Sequence, residues 1–246
     1  MNHIIYNNLA EDYHHKRKKP WKSLEEFLKP ISNKKYQNGG YAIDLGCGNG
    51  RNFKLLNSKN IMLIGIDNSI QFLKIAKEQL NNVNLFSISE KNSIGLLLSD
   101  ILFLPIRPNV INNVYSIATI HHIKDKKQRK KLLYQISQTL KDDGYFLFSV
   151  WRKYQKKYRW YFIVDWIRRF ISRSYHNKQK KLGLANSGDK FVPWKVTKEN
   201  RTYLRFYHFF SKKEVKKLLK NYKVEVITKL GGPNKKDNFF ILAKRR

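Results

Sequence analysis

The chain reads as an α/β protein: a mainly parallel seven-stranded sheet with helices on both faces, completed by a C-terminal antiparallel hairpin. Three observations predict it. Strand-like and helix-like stretches alternate from residue 41 to residue 151, the pattern of repeated strand–helix–strand units. The first strand, Ala42-Ile-Asp-Leu-Gly-Cys-Gly-Asn-Gly50, runs into a turn with glycine at alternate positions. Two further apolar runs, Leu63-Ile-Gly-Ile-Asp67 and Gly95-Leu-Leu-Leu-Ser-Asp100, each end in an acid. In parallel sheets, ligands sit beyond the carboxyl ends of the strands, where Gly46, Asp67 and Asp100 all fall.

The elements follow in order. Residues 1–38 form a polar, aromatic-bearing extension, and Ser23-Leu-Glu-Glu26 is a capping-box pattern that places a helix start just after Pro20-Trp21. Periodicity then predicts strand 41–45, a helix near 51–57, strand 61–66 and a helix over 69–80. A third strand lies within 83–100, a fourth near 113–118, a helix over 125–140 and a fifth strand at 145–151. The segment 152–190 breaks this rhythm. Its run Trp160-Tyr-Phe-Ile-Val-Asp-Trp-Ile-Arg-Arg-Phe-Ile171 is either an amphipathic helix lying on a membrane or a partner, or a helix packed on its own domain. Ser211-Lys-Lys-Glu214 is a second capping box opening a helix to about Asn221, and strands 222–230 and 238–244 form the terminal hairpin. One domain covers 1–246: an extension (1–38), a cofactor-binding core (39–151), a variable insertion (152–200) and a C-terminal helix with its hairpin (201–246).

A chain of 246 residues is long enough to bury a substantial core. Its formal net charge of +32 favours polyanionic partners, nucleic acid or an anionic membrane, unless a Lys-rich compositional drift has scattered the cations over every face. Cys47 is the single cysteine, which excludes an intrachain disulfide and a multi-thiolate metal site and leaves it as a small buried residue of the glycine turn. The N-terminus lacks the apolar core of a signal peptide, and no apolar run approaches membrane-spanning length, so a soluble intracellular protein is expected.

Only glycine lets backbone turn so tightly and press against a ligand. The dinucleotide fingerprint would need Gly or Ala at position 51, where this chain has Arg51. The glycine turn together with the strand-end acids points instead to S-adenosylmethionine, with Gly46, Gly48 and Gly50 facing its methionine part beside Asp44. Asp67, about twenty residues on, is placed for the ribose hydroxyls. Asp100, with Ile101 beside it, is placed for the adenine.

Five further motifs are more specific. Ser116-Ile-Ala-Thr-Ile-His-His122, at the end of the fourth strand, resembles the S-I-A-x-x-H-H signature of the eukaryotic tRNA methyltransferases that esterify 5-carboxymethyluridine at the anticodon wobble position, a class I, Rossmann-like family. Ile5-Tyr-Asn-Asn-Leu-Ala10 with Arg17-Lys-Lys-Pro-Trp21 resembles that family's N-terminal signature. Phe191-Val-Pro-Trp194, Arg205-Phe-Tyr-His208 and Asp237-Asn238 resemble three later elements, in the family's order. The chain departs from the pattern at Lys16, Lys22, Asp143, Phe206 and Phe239, and carries about ten additional residues near 84–94. The two Phe replacements keep an aromatic face and lose a hydroxyl or indole donor.

The resemblance implies methyl transfer from S-adenosylmethionine to a uridine-borne carboxylate on tRNA. A carboxyl of pKa about 4 is already ionised at neutral pH and needs no strong general base. It needs desolvation and alignment, tasks suited to a guanidinium fork. Arg17, Arg129 and Arg205 are the candidates, with His121 and Tyr207 as hydrogen-bonding or shaping groups; each also has a purely structural reading. Trp151, Trp194 and Phe206 are core residues or stacking platforms for anticodon bases. No compact set of metal ligands recurs.

The resemblance also implies a cytoplasmic enzyme, with the nucleus as a second location, and a small zinc-binding activator subunit as partner. The apolar residues Leu96-Leu-Leu and Ile101-Leu-Phe-Leu104 near a sheet edge give a physical reason for such a partner, with residues 84–94 as the competing cover. Two other readings stand beside this one: a methyltransferase for another RNA site or a small carboxylate, and a non-catalytic RNA-binding module.

Overall fold

The computed structural model describes residues 3–31, 39–58, 60–82 and 93–246. Strands β1 (Gly40–Leu45), β2 (Ile61–Asp67), β3 (Ile94–Leu98), β4 (Ile111–Ile117) and β5 (Leu140–Trp151) run parallel to one another. Strands β6 (Asp189–Val196) and β7 (Arg201–His208) form a separate antiparallel hairpin, and β8 (Tyr222–Leu230) and β9 (Asn238–Arg245) return to the main sheet. The seven-stranded sheet has the order β3-β2-β1-β4-β5-β9-β8, with β9 antiparallel to both its neighbours. The order reverses between β1 and β4, so the strand ends part there and leave a crevice. This is the expected class I, Rossmann-like methyltransferase fold.

The helices are α1 (His3–Lys16), α2 (Lys22–Leu28), α3 (Phe53–Leu56), α4 (Ile70–Asn81), α5 (Lys126–Thr139), α6 (Arg159–Ile171), α7 (Arg173–Lys181) and α8 (Lys212–Leu218). Side chains alternate across each strand, so neighbouring residues feed opposite cores. Ile43, Val114, Phe146, Phe148 and Ile241 join Leu132 and Ile136 of α5 and Val215 of α8 on one face. Ala42, Leu63, Leu147, Phe240 and Leu242 join Leu24 and Phe27 of α2 and Ala76 of α4 on the other.

Local caps set several of the boundaries. The Ser69 hydroxyl accepts from Phe72 N at the start of α4, and Asp125 accepts from Gln128 N at the start of α5. At α8 both halves of the Ser211–Glu214 capping box form. The Ser23 box does not. The helix there begins at Lys22, with Trp21 N donating to Asn52 Oδ1 at 3.1 Å, while Ser23 is buried inside the first turn.

Three elements differ from the periodicity reading. Helix α1 is unforeseen; it buries Leu9 and Ala10 against Phe72, Val196 and Tyr203. The β6–β7 hairpin is also unforeseen, and its turn falls at the boundary drawn near residue 200. Strand β5 begins at Leu140 rather than at 145. The extra residues near 84–94 lie almost wholly outside the described residues.

Gly50 has φ +72°, and a Cβ there would lie 2.6 Å from the Phe53 ring and 3.2 Å from Ala76 Cβ. Gly50→Ala is therefore expected to cost about 2 kcal/mol or more through strain and overpacking. In a chain of this size that lowers the thermal unfolding midpoint by about 4–8 °C, measurable by calorimetry.

Candidate active site

The carboxyl end of the sheet opens into a cavity of about 630 Å³, within the range of small-molecule sites. Its floor is the glycine turn. Gly46 N and Cys47 N both donate to Ile66 O, at 2.7 and 3.1 Å, which fixes the turn to the end of β2. Gly46 and Gly48 have φ of +73° and +55°. A Cβ on Gly46 would collide with the Thr119 side chain, whereas one on Gly48 would meet nothing within 4 Å. Gly46 is thus glycine for packing, and Gly48 is glycine beside open cavity. Gly50 turns inward to Phe53 and does not line the cavity.

Two acids line this floor. Asp67 accepts from Gly48 N and Ser69 N, each at 2.9 Å through a different oxygen. With two acceptor sites on each oxygen, the carboxylate retains acceptor capacity for a ligand hydroxyl beyond its backbone donors. Asp44 is buried, its Oδ1 has no partner, and burial followed by the charge of Asp67 pushes its carboxyl up to about 7. Asp100 and Ile101 are not brought to the cavity. Asp100 accepts from Leu102 N at 2.9 Å, and Ile101 is buried in the core with Ile43 and Ile66. Asn68 and Phe72 line the cavity on that side instead.

The opposite wall comes from the turn after β4 and from the β6–β7 hairpin. His121 is buried and stacks on Tyr207 with centroids 4.9 Å apart. His122 Nδ1 lies 3.1 Å from Phe206 O and 2.8 Å from Tyr6 Oη. A carbonyl only accepts, so Nδ1 carries the proton. Burial, reinforced by Arg205, holds His122 down to about 3. Burial, the His122 ring and Arg205 hold His121 well below its ordinary value. Burial pushes Tyr207 up to about 12 and holds Tyr6 well above its ordinary value. At neutral pH all four groups are uncharged.

Among them stands Arg205, 7% exposed, with its Nε unpaired and no carboxylate partner among the described residues. Its guanidinium lies over the Trp194 ring at 4.6 Å and the Tyr207 ring at 5.1 Å. Trp194 is fixed in turn: its Nε1 donates to Asp12 Oδ2 at 2.8 Å, and Asp12 also binds Lys16 and Thr197 N. Arg17 lines the same cavity from the end of α1, exposed, with its carbonyl bound by Asn49 Nδ2 at 3.2 Å.

Arg129 is not brought here. It is buried, and its Nη1 donates to the carbonyls of Ile123 and Lys124 at 2.7 and 3.1 Å, bracing the chain that follows the two histidines. The site residues that motif reasoning missed are Tyr6, Tyr13, Asn49 and Asp12. Tyr6 and Asn49 lie inside stretches singled out above, but only their contacts reveal what they do. His208 of the Arg205–His208 motif is structural, lying between Asp189 Oδ1 at 2.6 Å and Glu214 Oε1 at 3.0 Å.

These residues fit S-adenosylmethionine. An orphaned buried carboxylate at Asp44 suits its cationic amino-acid end, the open side of Gly48 suits close backbone approach, and the remaining acceptor capacity of Asp67 suits its ribose. When bound, the cofactor supplies an electrophilic methyl group on a sulfonium.

Because the folded state raises the Asp44 carboxyl above its ordinary value of 3.8, the ligand-free protein holds that group best in the neutral form. Its contribution to stability is full below about pH 4 and is lost as pH rises to about 7, on the order of 4 kcal/mol in all. Asp44→Asn is therefore expected to raise the thermal midpoint of the ligand-free protein more at about pH 8 than at about pH 5. Calorimetric titration is expected to show cofactor affinity rising with pH across that window in the parent and flat in the variant.

A methyltransferase-domain family model matches residues 43–148. A Schizosaccharomyces pombe protein named tRNA (carboxymethyluridine(34)-5-O)-methyltransferase is 28% identical over 99% of this chain and 95% of its own length. A Saccharomyces cerevisiae protein of the same name is 28% identical over 80% of this chain and 57% of its own. Among solved structures, an S-adenosylmethionine-dependent methyltransferase from Methanosarcina mazei superposes with a TM-score of 0.67 at 18% identity, covering 88% of this chain and 97% of that one. The strand order, the glycine floor with its acids and these likenesses agree on an S-adenosylmethionine-dependent methyltransferase of class I, Rossmann-like fold.

Proposed function

We propose that the chain methylates the carboxylate of 5-carboxymethyluridine at the tRNA wobble position, giving the methyl ester. One observation carries this reading: a buried guanidinium at Arg205, its Nε unpaired and no carboxylate partner among the described residues, set in a wall of uncharged groups. A buried cation without an anion is costly, and a substrate carboxylate removes that cost while giving up its own water. Arg205 would grip the carboxylate with its planar fork, and Arg17 at the rim would add a second cation. Tyr207 and His121 would shape the pocket and donate hydrogen bonds. A neighbouring base is not required, because the nucleophile is ionised already, and the depressed histidines are poorly suited to be one.

The relatives' printed names support the same substrate, and the net charge of +32 supports a polyanion. Trp151 and Tyr158 line the cavity mouth as platforms for unstacked bases. The small zinc-binding activator subunit belongs to this proposal as well. Leu98 and Phe103, 53% and 68% exposed on and just beyond β3, support a partner at that edge of the sheet.

Incubation with S-adenosylmethionine and tRNA carrying 5-carboxymethyluridine, followed by nucleoside mass spectrometry, is expected to show one added methyl on that nucleoside. Methylation of a different nucleoside, or of small carboxylates alone, would remove the proposal. Arg205→Lys keeps the charge and loses the fork, so turnover is expected to fall about tenfold or more with tRNA affinity changed by less than about twofold. tRNA affinity itself is expected to weaken with salt by about 0.7 log unit per log unit of salt for each single-strand phosphate contact.

A further inference from the structure

Helix α6 is oriented the opposite way to an ordinary surface helix. The face it presents to its own domain is narrow and partly ionic: Phe162 and Asp165 are buried, and Arg169 Nε binds Asp165 Oδ2 at 2.8 Å. Tyr175 Oη adds a bond to the same carboxylate from α7. The expectation of a helix packed on its own domain is therefore met by that one side. At 3.6 residues per turn, Trp160, Val164, Ile167 and Ile171 share the outward face, and Phe170 lies beside them. They are 66%, 41%, 40%, 76% and 83% exposed, respectively. Trp166, 58% exposed, stacks on Phe170 with centroids 6.2 Å apart and extends the patch. A helix normally turns such a stripe toward the core.

The surroundings are strongly cationic. Segment 152–190 holds twelve Lys and Arg against two acids, Asp165 and Asp189, and both acids are engaged internally. Lys156, Arg159 and Arg168 flank the helix, and Lys178, Lys180 and Lys181 project from the end of α7. Two features choose the occupant. The cations call for an anionic surface and oppose a second copy of this +32 chain. The aliphatic residues offer nucleic acid neither a donor nor a stacking face, whereas Trp, Phe and Ile on a convex ridge with Lys and Arg at its rim suit the headgroup boundary of a bilayer. Among the described residues no helix is long and apolar enough to cross a membrane, so the contact is peripheral.

We propose that α6 is a membrane-docking helix that lays its outward apolar ridge into the headgroup layer of an anionic bilayer, with the surrounding Lys and Arg side chains on the lipid charges. The test uses the full chain and vesicles of phosphatidylcholine, alone or with about a third phosphatidylserine, in a sedimentation assay. Sedimentation with the anionic vesicles and not the neutral ones is expected. The double variant Ile167→Glu/Phe170→Glu is expected to bind them at least about tenfold more weakly. Both positions face solvent, so an unchanged thermal midpoint and unchanged cofactor binding are expected, and the milder Phe170→Ser is expected to fall between. Failure to sediment, equal binding to neutral vesicles, or undiminished binding of the double variant would overturn the proposal. Loss of tRNA affinity in the double variant with vesicle binding intact would assign the ridge to RNA, and its conversion from oligomer to monomer would assign it to a second copy. Vesicles report on the ridge whether or not the methylation reading holds.

Discussion

The close approach of β1 and β4 at Gly46 and Thr119 is the contact on which the rest of the site hangs. With no side chain on Gly46, the Thr119 side chain occupies that space and its Oγ1 reaches Gly46 O at 3.3 Å. This fixes the turn after β4, which carries His121 and His122. His122 then bonds Phe206 O, anchoring β7 across the cavity, and β7 presents Arg205. Tyr6 of α1 reaches the same imidazole, and Asp12 of α1 holds Trp194 against the guanidinium. Segments far apart in sequence therefore meet through a short series of contacts that starts at a glycine. A Cβ at position 46 would disturb cofactor floor and substrate wall together.

Electrostatics divides the cavity into two halves with opposite tasks. The floor holds acids, Asp44 and Asp67, and suits the positively charged end of a cofactor. The far wall holds cations, Arg205 and Arg17, among groups that burial keeps neutral, and suits an anion. Arg205 itself contributes to the low basicity of both histidines, so the side chain proposed to hold the substrate anion also suppresses competing proton acceptors. A site built for a hydroxyl nucleophile would need the reverse, a base with its pKa near neutrality. The distribution of charge thus favours the proposed carboxylate acceptor over a hydroxyl one, a distinction that fold alone does not make.

Much of the fold was legible in the sequence because its signals are local. The 41–50 strand and turn, the strand-end Asp67 and the Ser211–Glu214 box each depend on residues close in the chain. The failures were tertiary. Ser23 lost its capping role because Trp21, packed on Phe240 and bonded to Asn52, starts the helix earlier. Strands β6 and β7 pair only with each other, apart from the main sheet, and Pro193 is tolerated in β6 because both strands of such a hairpin are edges. Arg205 lies inside a motif and Arg129 beside a Lys-rich helix start, yet both stood as candidates for the carboxylate. What separates them is place: Arg129 Nη1 is held by the carbonyls of Ile123 and Lys124 in the core, whereas Arg205 lines the cavity against Trp194 and Tyr207. Asp100 resembled Asp67 as a strand-end acid, yet β3 lies at the sheet edge, two strands from the switch point, and its acid turns to its own loop.

The segment 152–190 shows how one stretch serves two surfaces without mixing them. At its start Gln155, Lys157 and Tyr158 line the cavity, and Trp151 just before them packs on Tyr207 at 4.5 Å. One turn later the same chain carries its hydrophobic residues outward, held from behind by the Asp165–Arg169 pair. That pair is buried, so removing either partner would leave an uncompensated charge and release the helix. The ion pair therefore does for α6 what apolar packing does for the core helices, and it is this substitution of a polar anchor for an apolar one that leaves the hydrophobic side free. On its inner side Phe162 packs on Phe209, with rings 4.9 Å apart, in one aromatic layer with Tyr207 of the cavity wall, so the anchored face of α6 joins the domain where the cavity wall is built.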